Sequence, residues 1–279
     1  MKYALFLGCN IPARLPEYET SARLLLQRLG IELQDIAEFG CCGYPLRSID
    51  PKAFLLLSGR NLALAEREGL EILVLCQCCY GTLRKAKGIL DEDFDRRGEV
   101  NRILQKEGLI YTGVARVKHL LQVLYGEVGL EAIKGEVSRG LEGLCVATHY
   151  GCHALRPSPL MQLDDPSDPR ILEDLIAATG ARAIAGQKRL DCCGAPLLGV
   201  DDELSMGMLR RKVEDSLKAG AEVLCVACPY CQLQFEKMQP KALGEEVLPA
   251  VLISQLVGLA LGLSPGDLGI KGERLRAFC

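Results

Sequence analysis

One arrangement of cysteines occurs twice in this chain, and it dictates which distant segments must meet. The first copy is Cys9-x31-Cys41-Cys42-x33-Cys76-x2-Cys79, and the second is Cys152-x39-Cys192-Cys193-x34-Cys228-x2-Cys231. Each adjacent pair runs into the same Gly-x-Pro, in Cys41-Cys42-Gly43-Tyr44-Pro45 and Cys192-Cys193-Gly194-Ala195-Pro196. Thiols this far apart can serve one centre only if the loops carrying them converge in space.

The intervening sequence supplies a scaffold for such convergence. Residues 2–8 read as a short buried strand, Glu17 to Leu29 as a helix stopped by Gly30, Glu32 to Ala37 as a second strand, Ala53 to Glu68 as a helix closing on Gly69, and Glu71 to Leu75 as an apolar strand running into Cys76. The order repeats with strands at Leu144 to Thr148, Arg182 to Ile184 and Glu222 to Val226, and helices at Arg170 to Thr179 and Leu204 to Lys218. The segment His119 to Leu124 reads as a helix answered by Ser254 to Leu259, and the seam of the duplication falls near Ile133 to Glu142. Alternating strands and helices predict an α/β fold of two duplicated Rossmann-like halves with mainly parallel sheets, related by a pseudo-two-fold. In such sheets the loops leaving the carboxyl ends of strands gather in one crevice.

Composition narrows the chemistry. With 49% apolar residues over 279, the chain can build its own core, so it does not need disulfides as a small secreted domain does. The opening Met1 to Gly8 is too short for a secretory signal, and the late apolar run Val247 to Leu263 is broken by Pro249, Ser254 and Gln255. The expectation is therefore a cytoplasmic protein with reduced thiols and no membrane span. A net charge of −3 argues against a nucleic-acid surface, and Arg84, Lys85 and Lys87 read as a solvated helix face. No Gly-x-Gly-x-x-Gly follows a strand, so neither nicotinamide nor flavin binding is expected on this chain.

Zinc suits thiolates, but a structural zinc takes four ligands and each set offers five. The vicinal pairs alone could be redox disulfides. A compact ferredoxin run is absent, so an unusual iron-sulfur centre accounts best for the fifth thiol, with zinc in one half the weaker alternative.

These residues resemble the CCG domain proteins, specifically the B-type subunit family of heterodisulfide reductase. The resemblance spans nearly the whole chain and includes Tyr3-Ala4-Leu5-Phe6-Leu7-Gly8-Cys9 and His149-Tyr150-Gly151-Cys152-His153. It implies two noncubane 4Fe-4S clusters, one on Cys9, Cys41, Cys42, Cys76 and Cys79 in an N-terminal CCG domain, residues 1–138. The other would use Cys152, Cys192, Cys193, Cys228 and Cys231 in a C-terminal CCG domain, residues 139–279. Cys78 departs from the family, which usually carries a small residue there; a silent thiol is the favoured reading over a replacement ligand.

The resemblance further implies reductive cleavage of a disulfide, coenzyme M-coenzyme B heterodisulfide or similar, to two thiols in a cavity between the halves. Electrons would come from a ferredoxin-like iron-sulfur subunit fed by a flavin subunit, with electron bifurcation elsewhere in the heterodisulfide reductase complex. Alternatives are another disulfide, persulfide or sulfur carrier, or a non-catalytic electron-transfer role. His149 and His153 flank Cys152 and are candidates for proton delivery, and Arg156 for an anionic group of the substrate. Arg14 and Arg47, on loops beside Cys9 and Cys42, are weaker candidates for anion contacts. His119 is expected on a helix away from the ligands, Cys145 and Cys225 inside strands, and Cys279 incidental.

Overall fold

The computed structural model describes residues 1–244 and 247–271; Cys279 lies outside them. Two four-stranded sheets, every pairing parallel, carry the fold, in the orders β2-β1-β3-β4 and β6-β5-β7-β8. The first comprises β1 (Lys2–Phe6), β2 (Glu32–Gln34), β3 (Glu71–Val74) and β4 (Val117–His119). The second comprises β5 (Cys145–His149), β6 (Arg182–Ile184), β7 (Val223–Val226) and β8 (Ala250–Leu252). The central strands β5 and β7 are buried throughout, and β1 and β3 everywhere except their first residues. Helices on both faces demand such apolar runs from a parallel strand. Cys145 and Cys225 are buried in β5 and β7, as expected.

The duplication reaches the fine structure. Helices Pro51–Glu68 and Asp202–Lys218 begin at equivalent points after the vicinal pairs, and each is capped by an aspartate: Asp50 accepts from the amides of Lys52 and Ala53, Asp201 from that of Leu204. Asp50→Ala should cost about 1 kcal/mol, read as a lower midpoint in urea with an unchanged slope.

The halves are not independent bodies. Helix Pro16–Arg28 of the first packs on Ile253–Ala260 of the second, with the hydroxyls of Ser21 and Ser254 2.7 Å apart at the contact. The backbone amides of Ser138 and Arg139 both donate to the Ala260 carbonyl at 3.0 Å. Among the described residues, no helix is long and apolar enough to cross a membrane. Arg84 and Lys87 are not a simple solvated face: Arg84 donates to the Leu160 carbonyl at 2.8 Å and Lys87 to that of Gly113 at 2.7 Å.

His119 corrects the sequence reading. It ends β4, pairing with Val74, and precedes the helical segment instead of lying on it. A three-residue strand with a lysine at its centre leaves too short an apolar pattern to read. Nor is it remote from the thiols, since its ring faces the backbone of Leu75 and Ala227, just ahead of Cys76 and Cys228. Burial depresses this histidine from 6.5 to about 4, because the imidazolium would lose its hydration. An unfolded chain takes up the proton near pH 6.5 and the folded chain only near 4, so stability present above 6.5 is lost as pH falls through this window. Urea unfolding should show about 2 kcal/mol less stability from this group at pH 5 than at pH 7. In His119→Gln that increment should vanish.

Candidate metal centre

The ten cysteines lie at or just beyond the carboxyl ends of strands. Cys9 follows β1 and Cys76 follows β3, Cys152 follows β5 and Cys228 follows β7, while the vicinal pairs end the loops after β2 and β6. Chain order reverses between β1 and β3, and between β5 and β7. Loops diverge at such a switch point and leave a crevice.

The repeated Cys-Cys-Gly-x-Pro has a conformational reason. Gly43 and Gly194 sit at φ +89° and +85°, in the left-handed region, and turn the chain into short 3₁₀ segments, Tyr44–Leu46 and Ala195–Leu197, with proline in the first turn. The same glycine amides point back and donate to Cys41 Sγ and Cys192 Sγ, each at 3.4 Å. Ser58 Oγ then holds the Cys42 carbonyl at 2.7 Å and Asn61 Nδ2 the Cys41 carbonyl at 3.0 Å.

Within each half the thiols converge. In the first, Cys42 contacts Cys41 and Cys79, while Cys9 stays exposed at the rim. In the second, Cys192 contacts Cys152 and Cys193, and Cys193 Sγ lies 3.6 Å from Cys231 Sγ. The two sets also meet, because the sulfurs of Cys76, Cys78 and Cys228 all lie within 4.8 Å of one another. Helix Gln77–Glu92 starts at Cys76 and helix Pro229–Leu233 at Cys228, so the seam is built by two helix starts facing each other.

Such packing has an electrostatic consequence. The neighbouring thiols hold Cys42 down to about 4, with Cys41 the main cause, and Cys192 down to about 2, with Cys152 the main cause. Their partners are pushed the opposite way: Cys193 rises to about 12 beside Cys192, and Cys41 rises beside Cys42. Crowded thiols cannot all ionise by themselves, and all can do so when cationic metal sits among them. All thirteen described cysteines are free. This donor set fits an iron-sulfur centre on thiolates.

The histidines divide by burial. His149, the last residue of β5, is fully buried with Nε2 3.2 Å from Cys231 Sγ, and burial drives its pKa well below the ordinary value. His153 is part-exposed, with Nδ1 3.2 Å from Cys78 Sγ and its ring edge-on to Tyr44 at 5.4 Å. Arg156 is exposed and lines a separate recess with Asp191, Cys192 and Arg211. Arg14 is exposed, and Arg47 stacks over the Tyr44 ring at 5.1 Å.

Sequence reasoning passed over three residues here. Tyr230 and Gln77 line the seam recess with Cys78, His153 and Cys228. Lys212 lies buried in the second half, 2% exposed. A lysine on the stripe formed by Ser205, Leu209, Val213 and Ser216 was a signal visible in the sequence. Gln77 offered none.

The CCG cysteine-rich domain model matches twice, over residues 3–84 and 146–236. The chain belongs to the CCG cysteine-rich domain family. Within the family, it is 38% identical to the B-type subunit of the Ferredoxin:CoB-CoM heterodisulfide reductase of Methanosarcina mazei, covering 97% of this chain and 92% of that one. It is 37% identical to the B-type subunit of the Ferredoxin/F(420)H(2)-dependent CoB-CoM heterodisulfide reductase of Methanosarcina acetivorans, covering 99% and 94%. A third relative, at 35% over 97% and 95%, is the 8-methylmenaquinol:fumarate reductase membrane anchor subunit of Wolinella succinogenes. Each CCG copy covers the first three strands of its sheet and all of its thiol-bearing loops, leaving β4 and β8 outside, and the duplicated parallel fold expected from the sequence is the one found.

Proposed function

We propose that this chain is the subunit of a cytoplasmic heterodisulfide reductase complex at which a disulfide, coenzyme M-coenzyme B heterodisulfide or a close analogue, is cleaved to two thiols. Residues 1–138 would hold one noncubane 4Fe-4S cluster on Cys9, Cys41, Cys42, Cys76 and Cys79, and residues 139–279 the other on Cys152, Cys192, Cys193, Cys228 and Cys231. What carries this reading is the approach of Cys76 to Cys228, which brings two complete thiol sets to one seam. When bound, the clusters supply single electrons and iron sites with affinity for sulfur.

The chain's own residues supply the rest. Tyr44 and Tyr230, with ring centres 6.3 Å apart, stand beside the seam. His153, part-exposed beside Cys78, is the better placed histidine to hold a proton, at Nδ1, and exchange it with solvent. His149 is sealed from water and positions Cys231 instead. Arg156, in the recess beside Cys192, would meet an anionic end of a substrate long enough to reach out of the seam. The electron-delivering partners in this reading are the ferredoxin-like iron-sulfur subunit of the complex and, behind it, the flavin subunit.

The test is anaerobic turnover of the heterodisulfide with a reduced viologen, alongside paramagnetic resonance of the oxidised protein with and without coenzyme M. Turnover and a thiol-dependent signal are expected. A second reading, a non-catalytic electron-transfer role, is favoured by the likeness to the Wolinella membrane anchor protein. Clusters that pass electrons, with no turnover of any disulfide and no response to thiol, would establish that reading in place of the first.

A further inference from the structure

The halves repeat each other in sheet order and thiol placement, but His149 and Lys212, both buried beside the second set, break the repeat. Strand register equates Phe6 with His149, which pair with Val74 and Val226, the residues two before Cys76 and Cys228. Equal spacing from the vicinal pairs equates Asn61 with Lys212, and equal spacing from Cys76 and Cys228 equates Gln77 with Pro229.

Around the second set, His149 places Nε2 3.2 Å from Cys231 Sγ. Lys212 is held by the Lys188 carbonyl, near enough to Cys231 and Cys193 for their charges to act on it. Gln77 starts in the first half and crosses the seam. Its Oε1 lies 2.1 Å from the point where a Cβ on Gly151 would stand, and Cys231 Sγ is 3.5 Å from that point. Gln77 is 1% exposed, yet neither of its amide atoms has a hydrogen-bond partner. The atom that Gln77 turns toward this set is a carbonyl oxygen, which cannot donate, so the asymmetry rests on His149 and Lys212.

At the equivalent positions the first set has neither an imidazole nor a cation, although the Thr82 hydroxyl reaches Cys42. Phe6 packs edge-on against Phe39 at 5.1 Å, and Asn61 spends its amide on the backbone of Gly40, Cys41 and Leu57. Arg47 stacks on Tyr44 at the partly hydrated rim, where its charge is screened.

Reduction adds negative charge, so N–H donors and a buried cation beside the sulfurs stabilise the reduced state and raise the potential. We infer that the two centres are electronically unequal, the one held by Cys152, Cys192, Cys193, Cys228 and Cys231 being the higher in potential because His149 and Lys212 stand beside it. The inference rests on each thiol set holding an iron-sulfur centre. An electron entering the chain then settles in the second half before the first is reduced.

A redox titration of the anaerobically purified full chain, followed by visible absorption and paramagnetic resonance, tests this. Two waves are expected. The wave missing in Cys193→Ala should be the higher, and the wave missing in Cys42→Ala the lower. Lys212→Met should move only the higher wave, to lower potential. Should Lys212→Met lose iron, His149→Phe carries the test, because it installs the residue that the first half has at the same register position and removes the N–H beside Cys231. Its higher wave should move down and its lower wave stay.

A single coincident wave, a higher wave assigned to the first set, or a higher wave unmoved in His149→Phe would overturn the inference while leaving the proposed function intact. Protein without iron would overturn both.

Discussion

Cys42→Ala is expected to remove about half of the bound iron and sulfide, leaving the second centre spectroscopically intact, and to abolish disulfide turnover. Cys42 lies at the heart of the first set, contacting both Cys41 and Cys79, and it is the thiol of that set most readily ionised. Its loss also leaves Cys79, buried and pushed upward by Cys42 and Cys76, without the neighbour that shares its proton. The second set draws its ligands from separate loops and should keep its metal, because its inner contacts, Cys192 to Cys152 and Cys193 to Cys231, do not involve Cys42. Iron unchanged from wild type would contradict the ligand assignment. Loss of all iron would mean that the halves load as one unit.

Gly194→Ala should be the most damaging substitution outside the thiols. The residue sits at φ +85°, and a Cβ would stand 2.5 Å from the Ser205 carbonyl oxygen, a backbone atom that cannot swing aside. The left-handed conformation alone costs about 1–2 kcal/mol for a residue with a side chain. The clash adds to that, for a total of several kcal/mol. Local relief would move the Ser205 end of helix Asp202–Lys218 or tilt the turn, and either displaces Cys192 and Cys193. The Gly194 amide would also lose its aim at Cys192 Sγ. The expected readout is a large fall in thermal midpoint together with loss of the second centre's iron. By contrast, Gly220→Ala, also at positive φ but with no atom within 4 Å of the new Cβ, should show only the conformational cost and full iron. Equal effects in the two variants would remove the steric part of the account.

The central strands and the long helices were legible because their patterns are strong. β3 and β7 are continuous apolar runs ending at a cysteine, and helices Pro51–Glu68 and Asp202–Lys218 carry both a periodic face and a cap. The vicinal pairs with their Gly-x-Pro were legible for the same reason: backbone conformation and chemistry demand the same residues at the same places. Strand β4 was not, since three residues with a central lysine are too few to show alternation, and its absence put His119 on a helix. Its counterpart by register is Leu252 in β8, so the two segments match once the strands are counted. Spacing could indicate that each half gathers its own thiols. It could not show that Cys76, Cys78 and Cys228 meet, because that contact depends on how two helix starts face one another across the seam. Cys78, read as silent from the x2 spacing, stands in that seam beside His153. The environment of Gln77 was equally invisible, as it is created by the absence of a side chain at Gly151 on a distant loop.

Iron and acid-labile sulfide on anaerobically purified protein, with zinc measured on the same sample, test the central claim most directly. Two filled five-thiol sets predict about eight irons and about eight sulfides per chain with no stoichiometric zinc. About four irons with one zinc would make one half a structural metal site, and cleavage of a disulfide between two clusters would then be ruled out.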